Sequence, residues 1–133
     1  MKFPILLARP AWLRHFAKVT FVTSIVVILY LAIGRQVSVI NIANIDKVQH
    51  LLAFGWLTGL AFLGWEQRRL WRVLMLLGFG VAIEILQMSV GYRTASILDL
   101  LADGVGIAIA EASLHWYLSW LNKHQVIPHK PIL

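Results

Sequence analysis

The chain has 133 residues, of which 59% are hydrophobic and only 14% are charged, and its mean hydropathy is +0.75. A soluble domain of this length leaves too much of its surface exposed to hide so many apolar side chains, so the composition favours a membrane protein. The net charge of +6 does not indicate nucleic-acid binding, because the basic residues lie mostly between long apolar runs. The absence of cysteine excludes disulfides, thiolate catalysis and cysteine-ligated zinc.

Four long apolar runs follow one another along the chain, and helices of their lengths can cross a membrane. The first run extends back to residue 16 if Lys18 reaches toward the lipid headgroups, and we expect it to be an uncleaved span because no small-residue cleavage site follows it. The predicted spans are residues 16–34, 48–65, 73–90 and 97–121. The expected fold class is therefore all-α, an integral membrane bundle of four transmembrane helices whose short connections make consecutive helices antiparallel neighbours.

The distribution of basic residues predicts the orientation of these spans. Nine of the twelve lysines and arginines lie in the N-terminal segment up to Lys18, between the second and third spans, or after the fourth. The positive-inside rule then places the N-terminus and the C-terminus in the cytoplasm of a multi-pass protein of the cell membrane. The expected organisation is a cytoplasmic segment at 1–18, a transmembrane domain at 19–121 and a cytoplasmic tail at 122–133.

Polar residues recur near the outer ends of three predicted spans. An ionised carboxylate inside a span costs about 3 kcal/mol unless it finds a partner, faces the bundle interior or takes up a proton. Residues three or four apart share one helical face. The helical rise puts every member of the pairs below, apart from Asp46, in the outer leaflet. The pairs are Asp46 with His50, Glu84 with Gln87, and Asp99 with Asp103. Lys47 and Arg93 stand at the two outer loop junctions, where they are placed to stabilise the carboxylates.

Small residues lie beside these polar faces and predict close helix packing. They are Gly55 and Gly59 in the second span, Gly78, Gly80 and Ala82 in the third, and Ala102, Gly106 and Ala110 in the fourth. Close packing would surround the carboxylates with protein.

Each polar group also has a purely structural interpretation. His50 is either a helix-start histidine bonded to Asp46 or Gln87, or a residue that transfers protons or binds a ligand. The carboxylates either lock helix register or form a functional cluster. With all four carboxylates of the pairs ionised against Lys47 and Arg93, the net charge of the cluster is minus two, which requires a proton, a protonated His50 or a bound cation. No metal site or cofactor is predicted, since zinc sites normally use more nitrogen or sulfur ligands. Glu111 and His115 are expected to form a separate pair, and Ser96 to cap the fourth span.

The ordered set of motifs resembles the VanZ-like family of small multi-pass membrane proteins. The resemblance covers roughly residues 45–110 and rests on Asp46-Lys47-Val48-Gln49-His50, Glu84-Ile85-Leu86-Gln87, Arg93, Ser96 and Asp99-Leu100-Leu101-Ala102-Asp103-Gly104-Val105-Gly106. It implies an association with glycopeptide (teicoplanin) resistance, as for the founding member. Asp103 departs from the family pattern, which usually has Asn there, so a role that needs a neutral amide is in doubt.

Three functions are compatible with this pattern. In the first, the cluster binds a cell-envelope lipid or precursor through Asp46, Lys47, Gln87, Arg93 and Asp99, and so affects glycopeptide susceptibility. In the second, the chain is an outer-leaflet enzyme in which His50 works with Glu84 or Asp103 as an acid–base pair. In the third, the cluster is a structural network in a subunit that depends on a partner. The lipid bilayer is the expected partner, nucleic acid is not, and oligomerisation is left open.

Overall fold

The computed structural model describes residues 9–34, 45–66, 68–91 and 95–124, and all regular secondary structure in these ranges is α-helical. The helices are α1 (Ala11–Ile33), α2 (Ile45–Gly64), α3 (Arg69–Ser89) and α4 (Ile97–Lys123). The predicted all-α class with four helices is confirmed. Three helices begin before the predicted spans, because hydropathy marks where side chains are apolar whereas backbone hydrogen bonding continues into the flanking polar residues. Residues 11–18, expected to precede the transmembrane domain, are thus part of α1.

The ends of the helices follow local backbone rules. The carbonyl of Pro10 accepts hydrogen bonds from the N–H groups of Leu13 and Arg14 at the start of α1. After α3, Gly91 adopts a φ of +72°, the left-handed conformation that favours glycine beyond a helix end. At the start of α4 the backbone of Ser96 is extended, but its side chain makes no capping hydrogen bond. Ser96 therefore occupies the predicted N-cap position, but its side chain does not make the expected capping bond.

Helix α2 lies at the centre of the bundle and contacts each of the other three helices. Its most extensive partner is α4, which runs in the same direction. A Cβ atom at Gly106 would collide with the backbone carbonyl of Leu51, and a Cβ atom at Gly55 would lie 3.5 Å from the carbonyl oxygen of Gly106. Glycine thus permits the close approach of α2 and α4, as predicted. Gly59 and Gly78 have no such role, since a Cβ atom at either would meet nothing within 4 Å.

The core is small and the exposed apolar surface is broad. Phe54, Leu57, Leu76 and Ile83 are among the buried core residues, whereas α1 buries only Ala17 and Ala32. Large apolar side chains are exposed on all four helices, a surface that suits lipid rather than water.

Two helices, α1 and α3, are long and apolar enough to cross a membrane. The other two carry more polar residues, including Asp46, Lys47 and His50 in α2 and three carboxylates in α4. These polar residues lower the hydropathy of α2 and α4, and they supply most of the site described next.

Candidate functional site

A hydrogen bond between His50 of α2 and Asp103 of α4 forms the centre of the site. The Nδ1 atom of His50 lies 2.8 Å from Oδ1 of Asp103, whose side chain is fully buried. An ionised carboxylate only accepts hydrogen bonds, so when Asp103 is ionised it is Nδ1 of His50 that carries the proton and donates it. The interpretation in which His50 bonds to Asp46 or Gln87 is wrong, because the close packing of α2 on α4 brings Asp103 to the imidazole instead.

Glu84 of α3 and Asp99 of α4 complete a three-helix cluster with His50. A ring nitrogen of His50 and one carboxylate oxygen from each acid all lie within 4.8 Å of one another. Both carboxylates are buried. Oε2 of Glu84 accepts a hydrogen bond of 2.7 Å from the backbone N–H of Ser96, one of the groups at a helix start that have no acceptor within the helix. Sequence reasoning missed this contact, since it depends on how α3 meets α4.

Three buried carboxylate oxygens have no hydrogen-bond partner among the described residues: Glu84 Oε1, Asp99 Oδ1 and Asp103 Oδ2. The nearest described cation to Asp99 Oδ1 is the Nζ atom of Lys47, at 3.6 Å. Leaving a buried acceptor unpaired costs about 1–3 kcal/mol, and more when the group is charged. Such a concentration of unpaired acceptors is typical of a site that receives hydrogen-bond donors or a cation.

Asp46 and Lys47 lie at the edge of the cluster, at the start of α2. Nζ of Lys47 donates to Oδ2 of Asp46 over 3.1 Å. This bond raises the pKa of Lys47. Desolvation is the largest single effect on Asp46 and raises its pKa, but the hydrogen bonds from Lys47 and the charge of Lys47 together outweigh it and hold that pKa below its ordinary value. Arg93, the second predicted cation, lies outside the described residues. Lys47 is therefore the lysine or arginine that the described structure brings to carboxylates of the site, those of Asp46 and Asp99.

Gln87 joins the cluster to a small cavity. Its side chain is buried, and together with His50 it lines a cavity of about 90 Å³ between α1, α2 and α3. Most of the other lining residues are apolar, including Ile28, Phe54 and Ile83. The structure thus gathers the described site residues around one place, with four in the cluster, Gln87 at the cavity, and Asp46 and Lys47 at the edge.

A second polar contact lies further along α4. The carboxylate of Glu111 accepts hydrogen bonds of 2.6 and 2.9 Å from Nε and Nη2 of Arg72, and both side chains are buried. Nε of Arg69 lies 3.2 Å from the same carboxylate. The predicted pairing of Glu111 with His115 is wrong, because Glu111 faces α3. The expectation that Glu111 stands apart from the first cluster is confirmed, since it lies two helical turns beyond Asp103.

The sequence predicted Arg72 only as part of a basic loop that sets orientation. The structure places it in the first turn of α3, with its guanidinium 5.3 Å from the centre of the Phe62 ring. Its spacing from Glu111, 39 positions along the chain, leaves no local signal from which this ion pair could have been found.

A helical bundle with exposed apolar faces and a buried polar cluster defines a class of small helical membrane proteins. The chain matches the VanZ/LLP1 family over residues 5–118, a region that includes α1, α2, α3 and most of α4. It therefore belongs to the VanZ/LLP1 family, and the predicted resemblance is confirmed. Family membership and the two apolar helices together indicate a membrane protein. Neither a curated protein nor a solved structure matches the chain.

Proposed function

We propose that the chain crosses the cell membrane four times, with both termini in the cytoplasm and the His50 cluster in the outer leaflet. The basic residues support this orientation, since nine of the twelve lie on the side of the two termini. His50 and Asp99 lie near the starts of α2 and α4, and Glu84 lies near the end of α3. These helix ends are on the side of the bundle opposite the two termini. Burial of the carboxylates within protein lowers the cost of placing α2 and α4 in lipid.

The cluster binds the polar headgroup of a cell-envelope lipid or lipid-linked precursor, and through this ligand affects susceptibility to glycopeptides such as teicoplanin. The observation that carries this proposal is that the polar cluster lies next to a largely apolar cavity. His50 belongs to the polar cluster and, together with Gln87, also lines the largely apolar cavity of about 90 Å³. An amphiphile has both kinds of surface, so its headgroup can reach the cluster while its chain lies along the apolar helices.

The chemistry of the cluster determines which headgroup it accepts. The unpaired oxygens of Glu84, Asp99 and Asp103 need hydrogen-bond donors, which hydroxyl, amide or ammonium groups of a headgroup supply. Nζ of Lys47 at the edge of the cluster is placed to meet a phosphate. The site therefore favours a headgroup with a phosphate next to several donors.

Native mass spectrometry of protein released from its own membrane tests this proposal. Lys47→Met is compared with Lys123→Met, which removes an exposed lysine at the far end of α4. We expect a defined lipid or precursor to accompany the wild type and Lys123→Met, and its occupancy to fall at least fivefold in Lys47→Met. Equal lipid profiles in all three proteins would contradict the headgroup site and favour a structural network.

The proposed effect on glycopeptides needs a cellular measurement. Cells expressing the wild type should tolerate more teicoplanin than cells with an empty vector, and Lys47→Met should lose most of this difference at equal membrane abundance. If expression of the wild type leaves teicoplanin tolerance unchanged, the proposed resistance role is wrong.

A second candidate function is an enzyme of the outer leaflet, favoured by the His50–Asp103 bond. A histidine oriented by a buried carboxylate is a common arrangement for general acid–base catalysis, and Glu84 supplies a further carboxyl group within 4.8 Å. Protein in nanodiscs, incubated with labelled lipid extracted from its own membrane, should then convert one species over time. His50→Gln should abolish the conversion, whereas His115→Gln, an exposed histidine of α4, should not. Persistence of every labelled species with the wild type excludes catalysis on these lipids.

A further inference from the structure

We propose that His50, Glu84 and Asp99 bind one divalent cation of the first transition series, such as Mn²⁺ or Zn²⁺. Their three ligand atoms come from α2, α3 and α4 and lie within 4.8 Å of one another. Metal–ligand bonds of about 2.1 Å place neighbouring ligands roughly 3.4 Å apart. A small inward movement of these side chains would therefore bring all three atoms into contact with one ion.

The unpaired oxygens are an independent indication of a cation site. Oε1 of Glu84 and Oδ1 of Asp99 are buried, and neither has a hydrogen-bond partner among the described residues. Glu84 and Asp99 are only 7% and 6% exposed, so bulk water does not solvate them well. A cation bound between them would satisfy both oxygens at once, which no hydrogen bond among the described residues does.

Asp103 acts as a positioning residue for this site. It holds the imidazole of His50 through the 2.8 Å bond to Nδ1. When Nδ1 donates this bond, the lone pair that a cation can use is on Nε2. Carboxylate–histidine pairs of this kind commonly orient the ligands of protein-bound metals. The buried Asp103 therefore has a function in the site without contacting the ion.

The donor set determines the class of ion. Mg²⁺ and Ca²⁺ take mainly oxygen ligands, whereas imidazole nitrogen favours Zn²⁺ and its neighbours and carboxylate oxygen suits Mn²⁺. One imidazole with two carboxylates lies between these preferences, so Mn²⁺ and Zn²⁺ fit better than the alkaline-earth ions.

The charge of the cluster gives the cation a role in ligand binding. Among the described residues, the cluster and its edge hold four carboxyl groups, of which two lie within 4 Å of the single lysine, Lys47. When these groups are ionised, an approaching phosphate meets net negative charge. A bound dication would reduce this repulsion and offer the phosphate a direct ligand. This step rests on the proposed headgroup site, whereas the cation site itself rests only on the geometry of the three residues.

Direct metal binding tests the proposal with tag-free protein in detergent, using Mn²⁺ alone as the probe. We expect about one tightly bound Mn²⁺ per chain in the wild type, measured by electron paramagnetic resonance, with competition by Zn²⁺. Glu84→Gln, Asp99→Asn and His50→Gln should each weaken binding at least tenfold. The matched controls Glu66→Gln and His115→Gln, which change an exposed carboxylate and an exposed histidine, should bind as the wild type does. Equal binding by site variants and controls would overturn the proposal.

A spectroscopic signature protects this test against variants that fail to fold. Mn²⁺ bound to the wild type should show a ¹⁴N coupling from the imidazole, and its absence would overturn the assignment of His50. Lipid retention is measured in the same samples. Tight Mn²⁺ binding without any defined lipid overturns only the headgroup proposal, whereas a retained lipid without Mn²⁺ binding overturns only the cation proposal.

Discussion

Arg72 and Glu111 form a bidentate ion pair that joins the start of α3 to the middle of α4. Two nitrogens of the guanidinium lie 2.6 and 2.9 Å from the two carboxylate oxygens, and the side chains are 6% and 4% exposed. The planar guanidinium and the carboxylate fit each other through two parallel hydrogen bonds. Because both side chains are buried, these bonds replace the hydrogen bonds to water that the two groups lose on folding. It fixes the register of α3 against α4 at a distance from the His50 cluster.

Removing one member of this pair should destabilise the protein strongly. Arg72→Met leaves the carboxylate of Glu111 buried, with the exposed Arg69 as its remaining partner among the described residues, so we expect a loss of about 3–5 kcal/mol in the free energy of unfolding. The double variant Arg72→Met/Glu111→Leu replaces both charges by apolar groups and should recover most of that loss. Unfolding in detergent, followed by circular dichroism, measures both. A double variant no more stable than Arg72→Met would show that the pair is not what stabilises this contact.

The glycine at the α2–α4 contact should be intolerant of a side chain. In Gly106→Ala, the new Cβ meets the carbonyl of Leu51 and must push the helices apart, so we expect a loss of about 1–3 kcal/mol. Gly59→Ala adds the same atom to α2 where nothing lies within 4 Å. Because alanine favours helix, this control should gain up to about 1 kcal/mol. Melting temperatures that rank the two variants in the opposite order would contradict the close approach of α2 and α4 at Gly106.

The bond between His50 and Asp103 should depend on an acceptor rather than on a charge. In Asp103→Asn the amide oxygen can still accept from Nδ1, and the loss of one negative charge relieves repulsion with Asp99. We expect a change of no more than about 1 kcal/mol. Asp103→Leu leaves the imidazole without this acceptor and should cost about 1–3 kcal/mol.

The state of the imidazole can be read in the same variants. The ¹⁵N chemical shifts of His50 in nanodiscs should show a protonated Nδ1 in the wild type and in Asp103→Asn, and a changed pattern in Asp103→Leu. Identical shifts in all three would mean that Asp103 does not orient the ring. Retention of the bond in Asp103→Asn would also show that asparagine, the residue usual at this position of the family pattern, can orient the ring as aspartate does.

An exposed ion pair should contribute little to stability by comparison. Arg14 and Glu66 lie 3.0 Å apart, but their side chains are 43% and 53% exposed. Exposed pairs of this kind contribute roughly 0–1 kcal/mol, so Glu66→Gln should shift the melting temperature by no more than about 4 °C. A shift as large as that of Arg72→Met would mean that the pair is screened from solvent by lipid headgroups.

Residue types and their periods along the chain were enough to predict much of this protein. Apolar runs predicted four helices, the i, i+4 spacing predicted that Asp99 and Asp103 share a face, and the ordered motifs predicted the family. These properties are local, or depend on the order of short motifs, and so they can be read without knowing how the helices pack.

Tertiary packing decided which partner each buried polar group found. Local spacing offered Asp46 to His50 and His115 to Glu111, but the structure pairs His50 with Asp103 and Glu111 with Arg72. Each observed partner lies on a different helix, because close approach of two helices brings side chains nearer than one turn along either of them. Ser96 likewise contacts Glu84 through its backbone rather than through the hydroxyl that the sequence emphasised. Helix identity thus follows from the chain itself, whereas the chemistry of the site depends on the register in which α2, α3 and α4 meet.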